Sequence, residues 1–218
     1  MVSPFRPPAQ RHAPVLLWIV GICALLETAF TLLSLPPFGL DRLRNAAIMH
    51  GAFWPGLLHE WQPLFPGQRM TMFVSYAFLH GGFLHMLFNM LILLQLGRGA
   101  VARLGQAGFL LVYLLSAVGG AAFYGLLSTA DAPMLGASGA VFGLFGTSVF
   151  WELQVRRAHG ASFEPVLRLV LGLVVMNVVL FFLVGGMLAW QAHLGGFVTG
   201  FILAWLVTPT LRHRWRRP

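Results

Sequence analysis

The sequence predicts an all-α integral membrane protein that crosses the bilayer several times. Apolar residues make up 58% of its 218 residues and charged residues only 9%, against roughly 45–50% and about 25% in soluble domains. The apolar residues also fall in long runs, and a helix of about 20 such residues crosses the hydrocarbon core of a bilayer. This composition excludes a soluble enzyme and a disordered chain. A disulfide scaffold is excluded because Cys23 is the only cysteine.

Six apolar runs are interpreted as membrane spans. They cover residues 14–35, 72–96, 108–128, 138–153, 166–184 and 191–208, and the fourth is short. The long connection 36–70 contains five prolines and is too broken to span, while its tryptophans suit an element at the membrane interface. The predicted organisation is an N-terminal tail (1–13), a six-span membrane domain (14–208) and a basic C-terminal tail (209–218).

The arginines indicate the orientation of these spans, since all fourteen basic residues are arginine. Ten would lie on one side of the membrane: Arg6, Arg11, Arg98, Arg103, Arg156, Arg157, Arg212, Arg214, Arg216 and Arg217. Three would lie on the other side, in the long first connection: Arg42, Arg44 and Arg69. Basic loops stay in the cytoplasm, so we expect both termini there, in a bacterial inner membrane. The positive charge then predicts contact with anionic lipid and not with nucleic acid.

Polar residues inside the spans are candidate functional positions, because hydrocarbon does not solvate them. Gly136-Ala137-Ser138-Gly139 stands where a loop becomes the fourth span. It is either a glycine-rich turn whose serine caps the helix or the site of a nucleophile. His193 precedes Gly196 and Gly200 on one helical face. That group is either a packing face below a hydrogen-bonded histidine or the site of a general base.

The two groups are expected to lie close together in space. The fourth span, like the sixth, has a glycine face, formed by Gly139, Gly143 and Gly146. Helices with such faces approach each other closely in membranes. The approach would bring the Ser138 hydroxyl within hydrogen-bond reach of the His193 imidazole. A serine needs such a partner, since a neutral imidazole takes its proton and makes it a competent nucleophile.

A third group consists of His80, His85 and Asn89. His85 and Asn89 are one helical turn apart and face the same point. They form either a hydrogen-bonded polar patch, with His80 anchoring a loop, or a set of donors for an oxyanion. The backbone N–H of Ser138, at a helix start, would add a donor to that set. The His-x4-His-x3-Asn spacing is the most specific of the three patterns, with about 0.004 chance matches in this composition.

Together the three patterns resemble the motifs of the rhomboid intramembrane serine proteases in their basic six-span form. The motifs are His80-x4-His85-x3-Asn89, Gly136-Ala137-Ser138-Gly139 and Ala192-His193-x2-Gly196-x3-Gly200. The resemblance implies a six-helix bundle with a short central fourth helix. It implies that Ser138 is the nucleophile and His193 the general base, in a dyad without an acidic third member. His85, Asn89 and the Ser138 backbone N–H would form the oxyanion hole.

The resemblance also suggests supporting residues. His80 matches a family histidine associated with the first loop, and Phe142 matches an aromatic that supports the catalytic histidine. The motif glycines are given supporting roles: Gly136, Gly139, Gly196 and Gly200. The family often has Trp-Arg eight or nine residues before the first motif histidine, where this chain has Thr71 and Met72.

The expected activity is hydrolysis of peptide bonds in or near transmembrane segments of other membrane proteins, with the fifth span moving to admit the substrate. No metal or cofactor is expected, because no His, Cys or carboxylate cluster has ligand spacing. One alternative is a relative that binds transmembrane clients without cutting them, although such relatives typically lack the serine or histidine. Another is a transporter or haem protein, but Glu27 alone lies clearly mid-span and the chain has no repeat.

Overall fold

The computed structural model describes residues 13–129 and 131–215, with side chains up to residue 207. Seven α-helices form this part of the chain: α1 (Pro14–Ser34), α2 (Asp41–Gly51), α3 (Gln68–Ser75), α4 (Phe83–Leu127), α5 (Ser138–Ala158), α6 (Glu164–Leu183) and α7 (Trp190–Trp215). Two short 3-10 turns, Pro55–Leu58 and Tyr76–Phe78, lie between them. The arginines of both predicted tails lie outside the residues whose side chains are described: Arg6, Arg11, Arg212, Arg214, Arg216 and Arg217.

Four helices in the described part of the chain are long and apolar enough to cross a membrane. They are α1, α4, α6 and the segment Trp190–Val207 of α7. The predicted class, an α-helical multi-pass membrane protein, is therefore confirmed, but the count of six spans is not. Helix α4 contains the predicted second and third spans together, and α5, the predicted fourth, has too many glycines and polar residues to reach the same hydropathy.

Helix α4 is divided at Gly105, whose φ of 75° breaks the helical path. Its 45 residues would otherwise extend about 68 Å, roughly twice the hydrocarbon thickness of a bilayer. Instead the second arm turns back along the first, since Phe109 packs over Gly97. Farther along the same arm, the Tyr113 hydroxyl donates to the Ala77 carbonyl at 3.3 Å. The two arms are therefore antiparallel.

The predicted start of the second span is wrong. The helix begins at Phe83, and residues 68–78 form α3 and a 3-10 turn. Gly82 separates α3 and the 3-10 turn from α4 with a φ of 143°, which residues other than glycine rarely adopt. His80 consequently lies in a connection between helices, while His85 lies in the first turn of α4.

The predicted short fourth helix is also wrong in length. Helix α5 has 21 residues, as many as α1. Its apolar run ends near Leu153, but the helix continues because its last turns contain good helix formers and an i,i+4 ion pair between Glu152 and Arg156 at 2.7 Å. Its predicted central position is confirmed, because α5 packs against α4, α6 and α7. Helix α7 extends beyond the predicted end of the last span at Thr208.

The long first connection does not span, as predicted, and it is tied to the bundle by polar contacts. Gln68 is fully buried, and its amide donates to the Met49 carbonyl and accepts from the Leu64 N–H. The neighbouring Arg69 guanidinium donates to the Trp61 carbonyl at 3.0 Å. These two residues anchor the connection in a chain that lacks Trp-Arg at positions 71 and 72.

Glu27, for which the sequence named no partner, forms a buried ion pair. Its side chain is 1% exposed, and the Arg44 guanidinium donates to both carboxylate oxygens at 2.8 and 3.1 Å. Arg44 also donates to the His80 carbonyl at 3.4 Å. The pair therefore links α1, α2 and the connection before α4, where the first histidine motif begins.

Candidate active site

The turn before α5 presents Ser138 at the first position of the helix. Gly136 has a φ of 125°, and a Cβ there would overlap the His85 ring. Ala137 occupies the cap position without a side-chain cap, so Ser138 is not the cap that one interpretation of its motif suggested. Its backbone N–H lacks a carbonyl partner within the helix, as at any helix start.

The glycine faces of α5 and α7 lie directly against each other. A Cβ at Gly196 would overlap the Gly139 carbonyl, and one at Gly200 would overlap the Gly143 carbonyl. The Thr147 hydroxyl, buried between the helices, lies 2.9 and 3.0 Å from the carbonyl oxygens of Gly143 and Gly200. This close contact aligns the start of α5 with the first turn of α7.

Ser138 and His193 meet at that point. The Ser138 hydroxyl lies 2.9 Å from His193 Nε2. The imidazole also stacks on the Phe142 ring, with centroids 4.2 Å apart and an angle of 4° between the planes. His193 is 7% exposed. The structure thus brings together the serine, the histidine and the aromatic residue that the sequence singled out.

Asn177 on α6 is a member of this cluster that the sequence analysis missed. Its Oδ1 lies 2.5 Å from His193 Nδ1, and its Nδ2 donates to the Leu173 carbonyl at 2.8 Å. The available signal was an amide in the middle of an otherwise apolar span, since intramembrane polar residues are commonly functional. No sequence motif connects it to His193.

The third group lies beside the turn that precedes Ser138. The Ala137 N–H donates to His80 Nε2 at 3.4 Å, and the His80 and His85 rings meet edge to face at 5.3 Å. Burial lowers the pKa of His80 to about 3, so its ring is neutral and accepts this bond. Asn89 is buried on α4, and its Nδ2 donates to the His85 carbonyl at 2.9 Å, which leaves a second N–H for another acceptor.

A cavity of about 470 Å³ lies between α5, α6 and α7. His193 and Asn177 line it among apolar side chains that include Leu173, Phe181 and Trp190. The Ser138 hydroxyl, the His193 imidazole and the Asn177 amide therefore form a connected series, of which the imidazole and the amide line the cavity. Such a series activates a hydroxyl for nucleophilic attack.

Comparison with known proteins agrees with the motifs. A family model described as the rhomboid domain matches residues 67–210. The Bacillus subtilis protein YdcA, which is named as a rhomboid protease, is 28% identical to this chain over 211 residues. The matched region makes up 94% of each protein. Rhomboid-like protease 1 of Toxoplasma gondii is 27% identical over 201 residues, 90% of this chain and 61% of that protein. Rhomboid-type serine protease 2 of Emericella nidulans is 33% identical over 131 residues, 60% of this chain and 25% of that protein.

The family match covers the three motifs, the glycine-packed helices and the Ser138–His193 contact. The bacterial relative is matched along nearly its whole length, whereas this chain spans only part of the eukaryotic ones. The membrane-spanning helices agree with an enzyme that works within the bilayer. The chain therefore belongs to the rhomboid family of intramembrane serine proteases.

Proposed function

We propose that this enzyme cleaves peptide bonds in or near transmembrane segments of membrane proteins with a catalytic dyad of Ser138 and His193. The single observation that carries the proposal is the 2.9 Å contact between Ser138 Oγ and His193 Nε2. The stacked Phe142 ring supports it by fixing the plane of the imidazole.

In the proposed reaction, His193 Nε2 takes the hydroxyl proton as Ser138 Oγ attacks the scissile carbonyl carbon. The imidazolium then gives that proton to the leaving amine, which departs and leaves an acyl ester on Ser138. The same imidazole then takes a proton from water as the water oxygen attacks the ester carbonyl. The C–Oγ bond breaks, the imidazolium returns the proton to Ser138 Oγ, and the new carboxyl terminus leaves. No step needs a group from outside the protein other than substrate and water.

The oxyanion formed by this attack needs donors, and we assign this role to His85, Asn89 and the backbone N–H of Ser138. His85 packs against Gly136, two residues before the nucleophile. Asn89 has an N–H that its bond to the His85 carbonyl does not use. His80 supports the same turn by accepting the Ala137 N–H, and the motif glycines support it through the contact of α5 with α7.

For the arrangement in the membrane, we infer six crossings made by α1, the two arms of α4, and helices α5, α6 and α7. Contacts at one end of the bundle support cytoplasmic termini. There the Val15 N–H bonds to Gln106, and the Arg103 guanidinium lies 4.7 Å from the Trp151 ring. Helices α5 and α7 run parallel toward this end. The arginine-containing connections after the first arm of α4 and after α5 therefore lie on the same side. We place these crossings in a bacterial inner (plasma) membrane, since a bacterial relative matches nearly the whole chain.

Helix α6 is the proposed moving element for substrate access. Among its described residues only Val166 and Leu173 are buried hydrophobics, so it packs less tightly than the other long helices. The Gly185-Gly186 turn at its end has φ values of 63° and 83°. Outward movement of α6 would open the cavity that His193 lines.

The test is a cleavage assay in liposomes with a tagged single-span protein that carries small and helix-breaking residues near its outer end. Wild type is compared with Ser138→Ala and His193→Ala. We expect both substitutions to abolish cleavage while the protein stays folded. Cleavage that survives Ser138→Ala would refute the assigned nucleophile. Binding of the substrate without cleavage by wild type would instead support a client-binding protein.

A further inference from the structure

We propose that Asn177 is a positioning residue for the catalytic imidazole, which it holds from α6 in the tautomer that the reaction needs. This inference rests on the proposed Ser138–His193 dyad. It adds a third polar member to that dyad, the amide of Asn177, which lies outside the three sequence motifs.

The orientation of the Asn177 amide follows from its second contact. Its NH₂ group donates to the Leu173 carbonyl at 2.8 Å, a position that only a donor satisfies. The amide oxygen is therefore the atom that faces His193 Nδ1. Because this oxygen only accepts hydrogen bonds, Nδ1 must carry the proton.

The protonated Nδ1 determines the role of the other ring nitrogen. In a neutral imidazole with its proton on Nδ1, Nε2 has a free lone pair. Nε2 is the atom that faces the Ser138 hydroxyl. Asn177 thus selects the form of His193 that accepts the serine proton.

The amide supplies a constraint that the stacked ring does not. Phe142 lies parallel to the imidazole and fixes its plane, but a 180° flip of the imidazole about its Cβ–Cγ bond leaves that plane unchanged. The bond to Asn177 opposes this flip, because the flip would move Nδ1 away from the amide oxygen. When proton transfer makes His193 an imidazolium, Nδ1–H continues to donate to the same oxygen.

The position of Asn177 also makes the dyad depend on α6. Ser138 and Phe142 both belong to α5, whereas Asn177 belongs to the loosely packed α6. When α6 is docked, the imidazole is oriented; when α6 moves away, this bond is lost. Productive alignment is thereby restricted to the state in which α6 is docked.

The test uses the full-length enzyme in liposomes with the single-span substrate. Asn177→Leu keeps the branched shape of the side chain, enlarges it and removes the acceptor. Val175→Leu, which also enlarges a side chain on the lipid-exposed side of α6, is the matched control. For Asn177→Leu we expect kcat to fall roughly 10- to 100-fold, as for loss of a hydrogen bond to a group that becomes charged. We expect KM to change by less than about twofold, because the lost hydrogen bond orients the imidazole and is not a bond to the substrate.

Asn177→Asp separates positioning from a general structural role. A carboxylate still accepts the Nδ1–H but no longer donates to the Leu173 carbonyl, so this variant should recover part of the kcat lost in Asn177→Leu. It should also move the acid limb of the pH–rate profile to higher pH, because the carboxylate stabilises the imidazolium, which is the inactive form of the base. His85 is the other titratable side chain whose charge acts on His193, and this substitution leaves it in place.

The outcomes distinguish this inference from the proposed function. An active, Ser138-dependent wild type with unchanged kcat in Asn177→Leu would overturn the role of Asn177 alone. Equal losses in Asn177→Leu and Asn177→Asp, with lowered thermal stability in both, would assign the residue a structural role and overturn the inference as well. Wild-type cleavage that survives Ser138→Ala would remove the dyad on which the inference rests.

Discussion

The imidazole of His193 is restrained on both nitrogens and on one face, by Ser138, Asn177 and Phe142. Two of these partners were predicted, because each belongs to a short motif with fixed spacing. Asn177 was not predicted, since it lies in another helix and its contact depends on how α6 packs. Motifs capture residues whose spacing along the chain is set by one helix. Contacts made between helices need the fold.

At this scale we predict that Asn89→Ala lowers kcat by about 10²–10³ and leaves KM nearly unchanged. The reason is that an oxyanion donor acts mainly in the transition state, and loss of one such donor has this cost. Initial rates of substrate cleavage in liposomes measure both constants. A rise in KM with normal kcat would show that Asn89 binds substrate in its ground state and would contradict the assigned role.

Among the helices, α5 and α7 show which packing contacts can be predicted from the sequence. Their glycine faces predicted close contact, and the backbones are indeed so close that a Cβ at Gly196 or Gly200 would overlap a carbonyl of α5. Helix ends were predicted less well. The start of α4 depends on the φ of Gly82, and the last turns of α5 consist of polar helix formers, among them the Glu152–Arg156 pair. A hydropathy profile measures apolar content and therefore detects neither the backbone angle of a glycine nor a helix that continues through polar residues.

For these helices we predict that Gly200→Ala destabilises the protein by about 1–3 kcal/mol, the usual cost of overpacking a tight core. The new methyl group would push against the Gly143 carbonyl and separate α5 from α7. Gly172→Ala on α6 is the control, because its Cβ would meet no atom within 4 Å. Thermal unfolding in detergent measures both. Equal midpoints for the two variants would contradict the packing described here.

The whole molecule depends on contacts that join distant parts of the chain. The pair of Glu27 and Arg44 connects α1 to α2, and no pattern in the sequence pairs these two residues. The antiparallel arms of α4 likewise depend on a single residue, Gly105. Composition and the length of the apolar runs predicted an α-helical multi-pass protein. The course of the chain between spans required the structure.

For the molecule in its membrane, we predict that the connection after α5 faces the cytoplasm and the connection after α6 faces the outside. Single cysteines at Ser162 and Met187, introduced into a Cys23→Ala background, report the two sides. A membrane-impermeant maleimide applied to intact bacterial spheroplasts should label Met187→Cys at once, and Ser162→Cys only after permeabilisation. The reverse pattern would contradict the orientation inferred from the arginines.

In the proposed dyad, His193 makes Ser138 a reactive nucleophile. Covalent labelling of the enzyme in liposomes by a fluorophosphonate, followed by mass-spectrometric mapping of the modified residue, tests this reactivity. We expect a single adduct on Ser138 that is lost in Ser138→Ala and nearly lost in His193→Ala. Labelling of Ser138 at an undiminished rate in His193→Ala, or an adduct on another residue, would contradict the proposed dyad.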